Sequence, residues 1–154
     1  MKVEIVQAEP WHVEAIAWRA RQADIDELWA QANVTPAQAM RRGMKLSSET
    51  FTGLVDGEPV AMFGVTPYSI LHGFGTPWLV GSTAMDRLSV QKALLVHSRE
   101  KVDEWKQRHN LLVNMVDERN KQAIRWLKWL GFSFLPGMVY GPEQKVFLPF
   151  YWSA

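Results

Sequence analysis

The chain has 154 residues, 47% apolar and 21% charged, with a formal net charge of +1. That is enough apolar material for a core at the length of one domain, which excludes a disordered tail and a disulfide-stapled miniature. A charge so near zero argues against a general nucleic-acid coat, and the absence of cysteine excludes disulfides, thiolate catalysis and thiolate-bound zinc. Lys2, Glu4 and Gln7 stand where a secretory leader has its apolar stretch, and no apolar run approaches the roughly 20 residues of a membrane span. The expectation is a soluble intracellular protein with no membrane partner.

Residues 2–8 alternate, with Val3 and Ile5 on one face, which predicts a first strand ended by Pro10. From Trp11 to Ala32 the apolar residues Val13, Ile16, Ala20, Ile25, Leu28 and Trp29 recur at helical spacing, with a break at Asp24 and Asp26. Thr35-Pro36 opens a further helix, Thr35 as N-cap and Pro36 in its first turn, that runs to near Ser47. Residues 50–55 and 59–66 form a hairpin around Asp56-Gly57, with 68–71 as an extension. His72 to Pro77 is a turn cluster, and residues 78–83 are a short apolar strand. A long helix over 89–108 follows, closed by Asn110, then a strand over 111–116. Asn120 caps a helix stopped by Gly131, and residues 132–139 and 145–152 make a closing hairpin around 140–143. No linker, repeat or low-complexity segment interrupts this order, so the expectation is one domain over residues 1–154, a mixed α+β fold of about seven strands and four helices.

The segment Asn120-Lys121-Gln122-Ala123-Ile124-Arg125-Trp126-Leu127-Lys128-Trp129-Leu130-Gly131-Phe132 resembles the fourth-helix signature of the GNAT superfamily of N-acetyltransferases. The order of elements is similar to that family along nearly the whole chain. The residues make local sense. Asn120 caps, Ala123 permits close approach, Gly131 takes a left-handed C-terminal position and Phe132 starts a core strand. A narrower resemblance is carried by Arg21-Gln22-Ala23-Asp24, Asp56-Gly57, Phe63-Gly64-Val65, residues 75–81 and residues 124–132. It is to small phage and prophage proteins of GNAT-like pattern, often described as internal virion proteins.

The resemblance implies a central, largely antiparallel mixed sheet and an acetyl-CoA site where the fourth and fifth strands part. It places Leu79, Val80, Gly81, Ser82 and Thr83 along the pantetheine arm. Ser89, Val90, Gln91 and Lys92 fall at the pyrophosphate, and Asn120, Ala123 and Leu127 on the helix beside the thioester. Helix N-termini favour anions, and glycine lets a backbone come close to them. The family loop is Gln/Arg-x-x-Gly-x-Gly/Ala. With Arg87 in its first position, Val90 and Lys92 stand where the glycines belong, which predicts crowding of a pyrophosphate. The Tyr that commonly protonates the leaving thiolate falls on Leu127, which carries no proton.

Asp117 and Glu118, at the end of the fifth strand, are candidates for the general base, or they complement the dipole of the following helix. Tyr68 and Asp86 are candidates for the substrate side. His72 and His97 have no second ligand at metal spacing, so no metal is expected. Arg41, Arg42 and Lys45, and Arg125 with Lys128, read as solvated helix faces. The eight tryptophans read first as core and interface filler, with one of Trp126 and Trp129 in the core and the other free for a partner. Two functions follow. One is an acyl-CoA-dependent N-acetyltransferase acting on an amine in the host cytoplasm. The other is a catalytically inactive virion-associated or assembly protein that works through contacts with phage structural proteins. Neither names the acceptor or the oligomeric state.

Overall fold

The computed structural model describes residues 1–154. Eight strands form one sheet in the order β1-β2-β3-β4-β5-β8-β6, with β7 also paired to β8. The strands are β1 (Val3–Gln7), β2 (Glu49–Val55), β3 (Glu58–Ser69), β4 (Phe74–Gly81), β5 (Leu111–Asp117), β6 (Ser133–Phe134), β7 (Met138–Tyr140) and β8 (Lys145–Ser153). The helices are α1 (Pro10–Ala17), α2 (Gln22–Ala32), α3 (Pro36–Leu46), α4 (Leu88–Arg108) and α5 (Lys121–Trp129). Every pairing is antiparallel except β4 with β5. No helix is long and apolar enough to cross a membrane.

Alternation along the strands sorts the core onto two faces. Met62 and Val80 point to one face, where Val13 and Ile16 of α1 and Met40 of α3 cover them. Phe63 and Val65 point to the other, against Val102 and Trp105 of α4 and Ile124 of α5. Val90 and Leu94, near the start of α4, close a third cluster with Val55, Val60, Ala61 and Trp126. The two helix layers face each other through the sheet at β4 and β5.

Several boundaries differ from the sequence expectation. The first helical run breaks at Trp18–Arg21, not at Asp24. There the chain peels away to pair with the end of β4: Arg21 N donates to Gly81 O at 2.9 Å and Ala20 bridges Ser82. β4 begins at Phe74, inside the expected turn cluster, and includes Pro77. A proline is tolerated because its missing N–H is on the edge that faces β5, where no strand pairs with it. Ser82 and Thr83 lie beyond the strand, at a 3-10 turn over Thr83–Asp86. The closing segment is three strands rather than two, because Pro136 and Gly137 separate β6 from β7.

Of the Trp126 and Trp129 pair, one is core and the other exposed, as expected, but more of the tryptophans reach the surface than core filling implies. Trp105 and Trp126 are buried, whereas Trp11, Trp18, Trp29 and Trp129 are exposed. Trp129 is not bare, since the Arg99 guanidinium sits 4.5 Å over its ring. The burial order follows geometry: Trp105 and Trp126 face the sheet, and their indole N–H groups reach Glu49 and Gln91.

Candidate active site

β4 and β5 pair only at Phe74–Leu111 and Gly75–Leu112, then part. Past that point each strand has a main-chain edge that a parallel neighbour would have satisfied, and buried N–H and C=O groups need partners. Asn114 meets part of the need. Its Nδ2 donates across the gap to Pro77 O at 2.8 Å, and its Oδ1 accepts from Met115 N at 2.8 Å. The wide end is met by α2. Gly81 N donates to Asp24 Oδ2 at 2.8 Å, and Asp117 N donates to Glu27 Oε1 at 2.8 Å. Residues 77 and 81 thus turn their main-chain groups to the gap. So does Leu79 between them, because the direction repeats every second residue. Leu79 is left as the main-chain pair on this edge that no α2 or β5 side chain takes.

Arg21, Asp24 and Glu27 recur every three residues and so share one side of α2. They meet Asn120, the cap of α5, in a buried network. Asn120 Nδ2 donates to Asp24 Oδ1 and to Glu27 Oε1, each at 3.3 Å, while its Oδ1 accepts from Arg21 Nη2 at 3.3 Å and Ala123 N at 3.4 Å. Arg21 Nη1 donates to Asp24 Oδ1 at 2.9 Å, and both side chains are 5% exposed. A buried pair of this kind is held by its extra hydrogen bonds, because desolvation opposes it.

Glu27 is half-buried and faces the gap. Burial is the main cause that pushes its carboxyl up to about 8. Hydrogen bonds from Asp117 N and Asn120 oppose that shift, and the charges of Asp24 and Asp117 add to it. Its Oε2 has no protein hydrogen-bond partner, so one oxygen is free for a ligand.

The gap widens into a cleft of about 540 Å³ that runs through the sheet. Leu28 and Val34, together with Trp78 and Leu46, line it on the α2–α3 side, and Leu95, Val102, Leu127 and Leu130 line it on the α4–α5 side. Near the start of α4, side-chain contacts tie α5 to α4 and to Arg21. Trp126 Nε1 donates to Gln91 Oε1 at 3.3 Å, and the Arg21 guanidinium lies 4.8 Å over the same indole. Arg21 Nη2 also donates to Gln122 Oε1 at 3.0 Å, tying α2 to α5.

The residues expected at the site are distributed unevenly. Leu79, Val80, Asn120, Ala123 and Leu127 line the cleft, as does Tyr68. Gly81, Ser82 and Thr83 do not. Gly81 has spent its main-chain groups on α2, and Ser82 is fully buried. At the start of α4, Val90 turns into the core at 1% exposed, Ser89 and Lys92 face solvent, and Gln91 holds Trp126. Val90 therefore packs inward instead of standing over the helix end. The N–H groups of Leu88, Ser89 and Val90 have no protein acceptor. Asp86 is exposed, its Oδ1 4.0 Å from Arg21 Nε.

Asp117 is not a free base. Burial disfavours its charge, but Arg119, donating from Nε, Nη2 and its own backbone N–H, outweighs burial and holds the carboxyl below the usual range. Glu118 is exposed and outside the cleft wall. No cluster of three metal-ligating side chains is present. The carboxylate in the throat, Glu27, was missed from the sequence, and so was the Trp126–Gln91 contact. One signal was available: Asp24 and Glu27 sit beside Leu28 on the buried side of α2, where unpaired acids would be costly.

No protein-family model and no curated protein matches this sequence. Solved structures do match it over nearly their whole length. The ribosomal-protein-S18-alanine N-acetyltransferase from Escherichia coli superposes with a TM-score of 0.69 at 17% identity, covering 99% of this chain and 94% of that one. An acetyltransferase of the GNAT family from Streptococcus pneumoniae gives 0.65 at 13% identity, covering 99% and 100%. The spermidine N-acetyltransferase from Vibrio cholerae, in complex with CoA and spermine, gives 0.72 at 9% identity, covering 98% and 95%. The fold is thus the one these N-acetyltransferases share. At such identities the likeness speaks for architecture and leaves the chemistry to the residues in the cleft.

Proposed function

We propose that this chain is an acyl-CoA-dependent N-acyltransferase with Glu27 as its general base. The observation that carries this reading is the throat itself. A carboxyl held near pH 8, with one oxygen unpartnered, stands in the strand gap beside the unpaired main chain of Leu79. A base works best when its pKa lies near the working pH, and a fixed N–H is suited to developing negative charge on an acyl oxygen. Glu27 Oε2 takes the proton from the acceptor amine as its nitrogen bonds to the acyl carbon. Leu79 N–H donates to the acyl oxygen, the C–S bond breaks, and solvent protonates the thiolate, because Leu127 cannot.

Acetyl-CoA is the expected donor. The unpaired N–H groups at Leu88, Ser89 and Val90 form an anion-accepting helix start, with Arg87 and Lys92 exposed beside it and Val90 packed inward. A pantetheine arm bound between α4 and α5 would meet the Trp126–Gln91 contact. Calorimetric titration with acetyl-CoA tests the reading, followed by release of free thiol on adding amines. A millimolar dissociation constant or tighter, with amine-dependent thiol release, is the expected result; no heat and no thermal shift at millimolar ligand would sink it.

An exposed apolar hairpin tip favours a second reading: a GNAT-fold protein without catalysis that acts in virion assembly through protein contacts. The β3–β4 hairpin presents Ile70 and Leu71 at 86% and 89% exposed, an apolar tip of the kind partners cover. Co-purification with virions and with a phage structural protein, together with a blank acetyl-CoA titration, would establish that reading over the first.

A further inference from the structure

The cleft wall carries few charges. The charged side chains in its wall are Asp24, Glu27 and Arg42. Asp24 is fully engaged: Oδ1 accepts from Arg21 and Asn120, and Oδ2 from Gly81 N. That leaves one carboxyl in the throat, Glu27, and one cation on α3, Arg42. Arg41 beside it is paired with Glu14, but Arg42 has no acidic partner and is exposed at the cleft.

The wall on the α2–α3 side, where both groups are carried, is apolar and rigid. Leu28, Val34 and Leu46 line it around Trp78. The Trp78 ring is pinned, with Nε1 donating to Ser47 Oγ at 2.8 Å. α3 lies directly on that ring, so that a Cβ at Gly43 would fall 2.2 Å from it. A wall that does not need to reorganise favours one ligand shape over others.

On the reading that this cleft is an acyl-transfer site, we infer that its acceptor is an apolar amine carrying a carboxylate, of the apolar amino acid or short peptide class. The amine reaches Glu27, the apolar body lies on Trp78 and Leu28, and the carboxylate pairs with Arg42. Polyamines are disfavoured. A second or third cationic nitrogen would find no free carboxylate in this wall and would meet Arg42 instead, so like charge and desolvation both oppose it.

Acceptors of graded length separate these outcomes: leucine, dileucine and trileucine, each as the free acid and as the C-terminal amide, with spermidine alongside. Thiol release from acetyl-CoA gives kcat/KM for each. The expected result is a preference for acid over amide of at least about tenfold at one length, the worth of one charge-assisted hydrogen bond, with spermidine poorest. Arg42→Gln should raise KM for the preferred acid and collapse the acid-to-amide ratio toward unity, and Arg42→Glu should invert it. Equal turnover of acid and amide at every length, or a preference for spermidine, overturns the acceptor inference while leaving acyl transfer intact. No thiol release with any of these amines, despite acetyl-CoA binding, overturns both.

Discussion

The two ends of the β4–β5 gap satisfy the same main-chain demand by different means. At Phe74 and Gly75 the strands pair directly with Leu111 and Leu112, and the groups are consumed by each other. At Gly81 and Asp117 the partners are the carboxylates of Asp24 and Glu27 on α2. Direct pairing leaves an inert sheet. Pairing through side chains holds the strands apart and brings acids into a low-dielectric throat, where one of them, Glu27, is held near pH 8. The wide end of the cleft and its candidate base thus share one element, α2, whose Asp24 and Glu27 side chains take the main-chain N–H groups of Gly81 and Asp117.

The comparison is broken most severely at Asp24. Asp24→Ala leaves Arg21 buried without its counterion and Gly81 N–H without an acceptor, so a loss of about 3–5 kcal/mol is expected in urea unfolding. If the wide end is held mainly by apolar packing, the loss will be under about 1 kcal/mol.

Glu27→Gln keeps both accepted hydrogen bonds on a neutral group and removes the base. Acyl transfer should fall by at least about a hundredfold in kcat, and the rise of the parent's rate through pH 8 should vanish. Stability moves the other way. Because the folded carboxyl titrates near 8 and the unfolded one near 4.5, the native state holds the extra proton between those values. The parent should therefore lose stability as pH rises from 4.5 to 8, and the Gln variant should lose less. Parallel melting curves from pH 5 to 9 check the sign; curves that stay a fixed distance apart would count against the shifted carboxyl.

Asn114→Ala unfastens the middle of the gap, leaving Pro77 O and Met115 N without their partner. A loss of about 1–2 kcal/mol is expected by chemical denaturation. Gln91→Ala should have the smallest effect on stability, about 0.5–1 kcal/mol, because one long hydrogen bond is lost. It frees Trp126, so acetyl-CoA affinity measured by calorimetry should rise a few-fold. An unchanged affinity would mean that the α4–α5 mouth does not govern entry.

Much of the architecture could be read along the chain. The Asp56-Gly57 hairpin, the Thr35-Pro36 helix start and the Asn120 cap stand where expected, because each depends on residues within a few positions of one another. Leu79, Val80, Asn120, Ala123 and Leu127 were placed on the cleft by resemblance and do line it. Gly81 and Ser82 were placed there by the same reasoning and do not, because Asp24 of α2 and Ala20 just before it reach them from about sixty positions away in the chain. Pro77 was read as a turn residue, and only the missing β5 partner shows why a strand can hold it.

By itself, then, the amino-acid sequence determined most of the order of elements, the helix caps and the glycine-free start of α4, all of which are local patterns of spacing and residue type. The tertiary structure alone decided which carboxylate lies in the throat and which is spent on an arginine. Asp24, Asp26, Glu27, Asp117 and Glu118 are alike in the one-dimensional chain. Their differences arise from desolvation and from partners brought in by the fold, and neither quantity exists until α2 packs against the ends of β4 and β5.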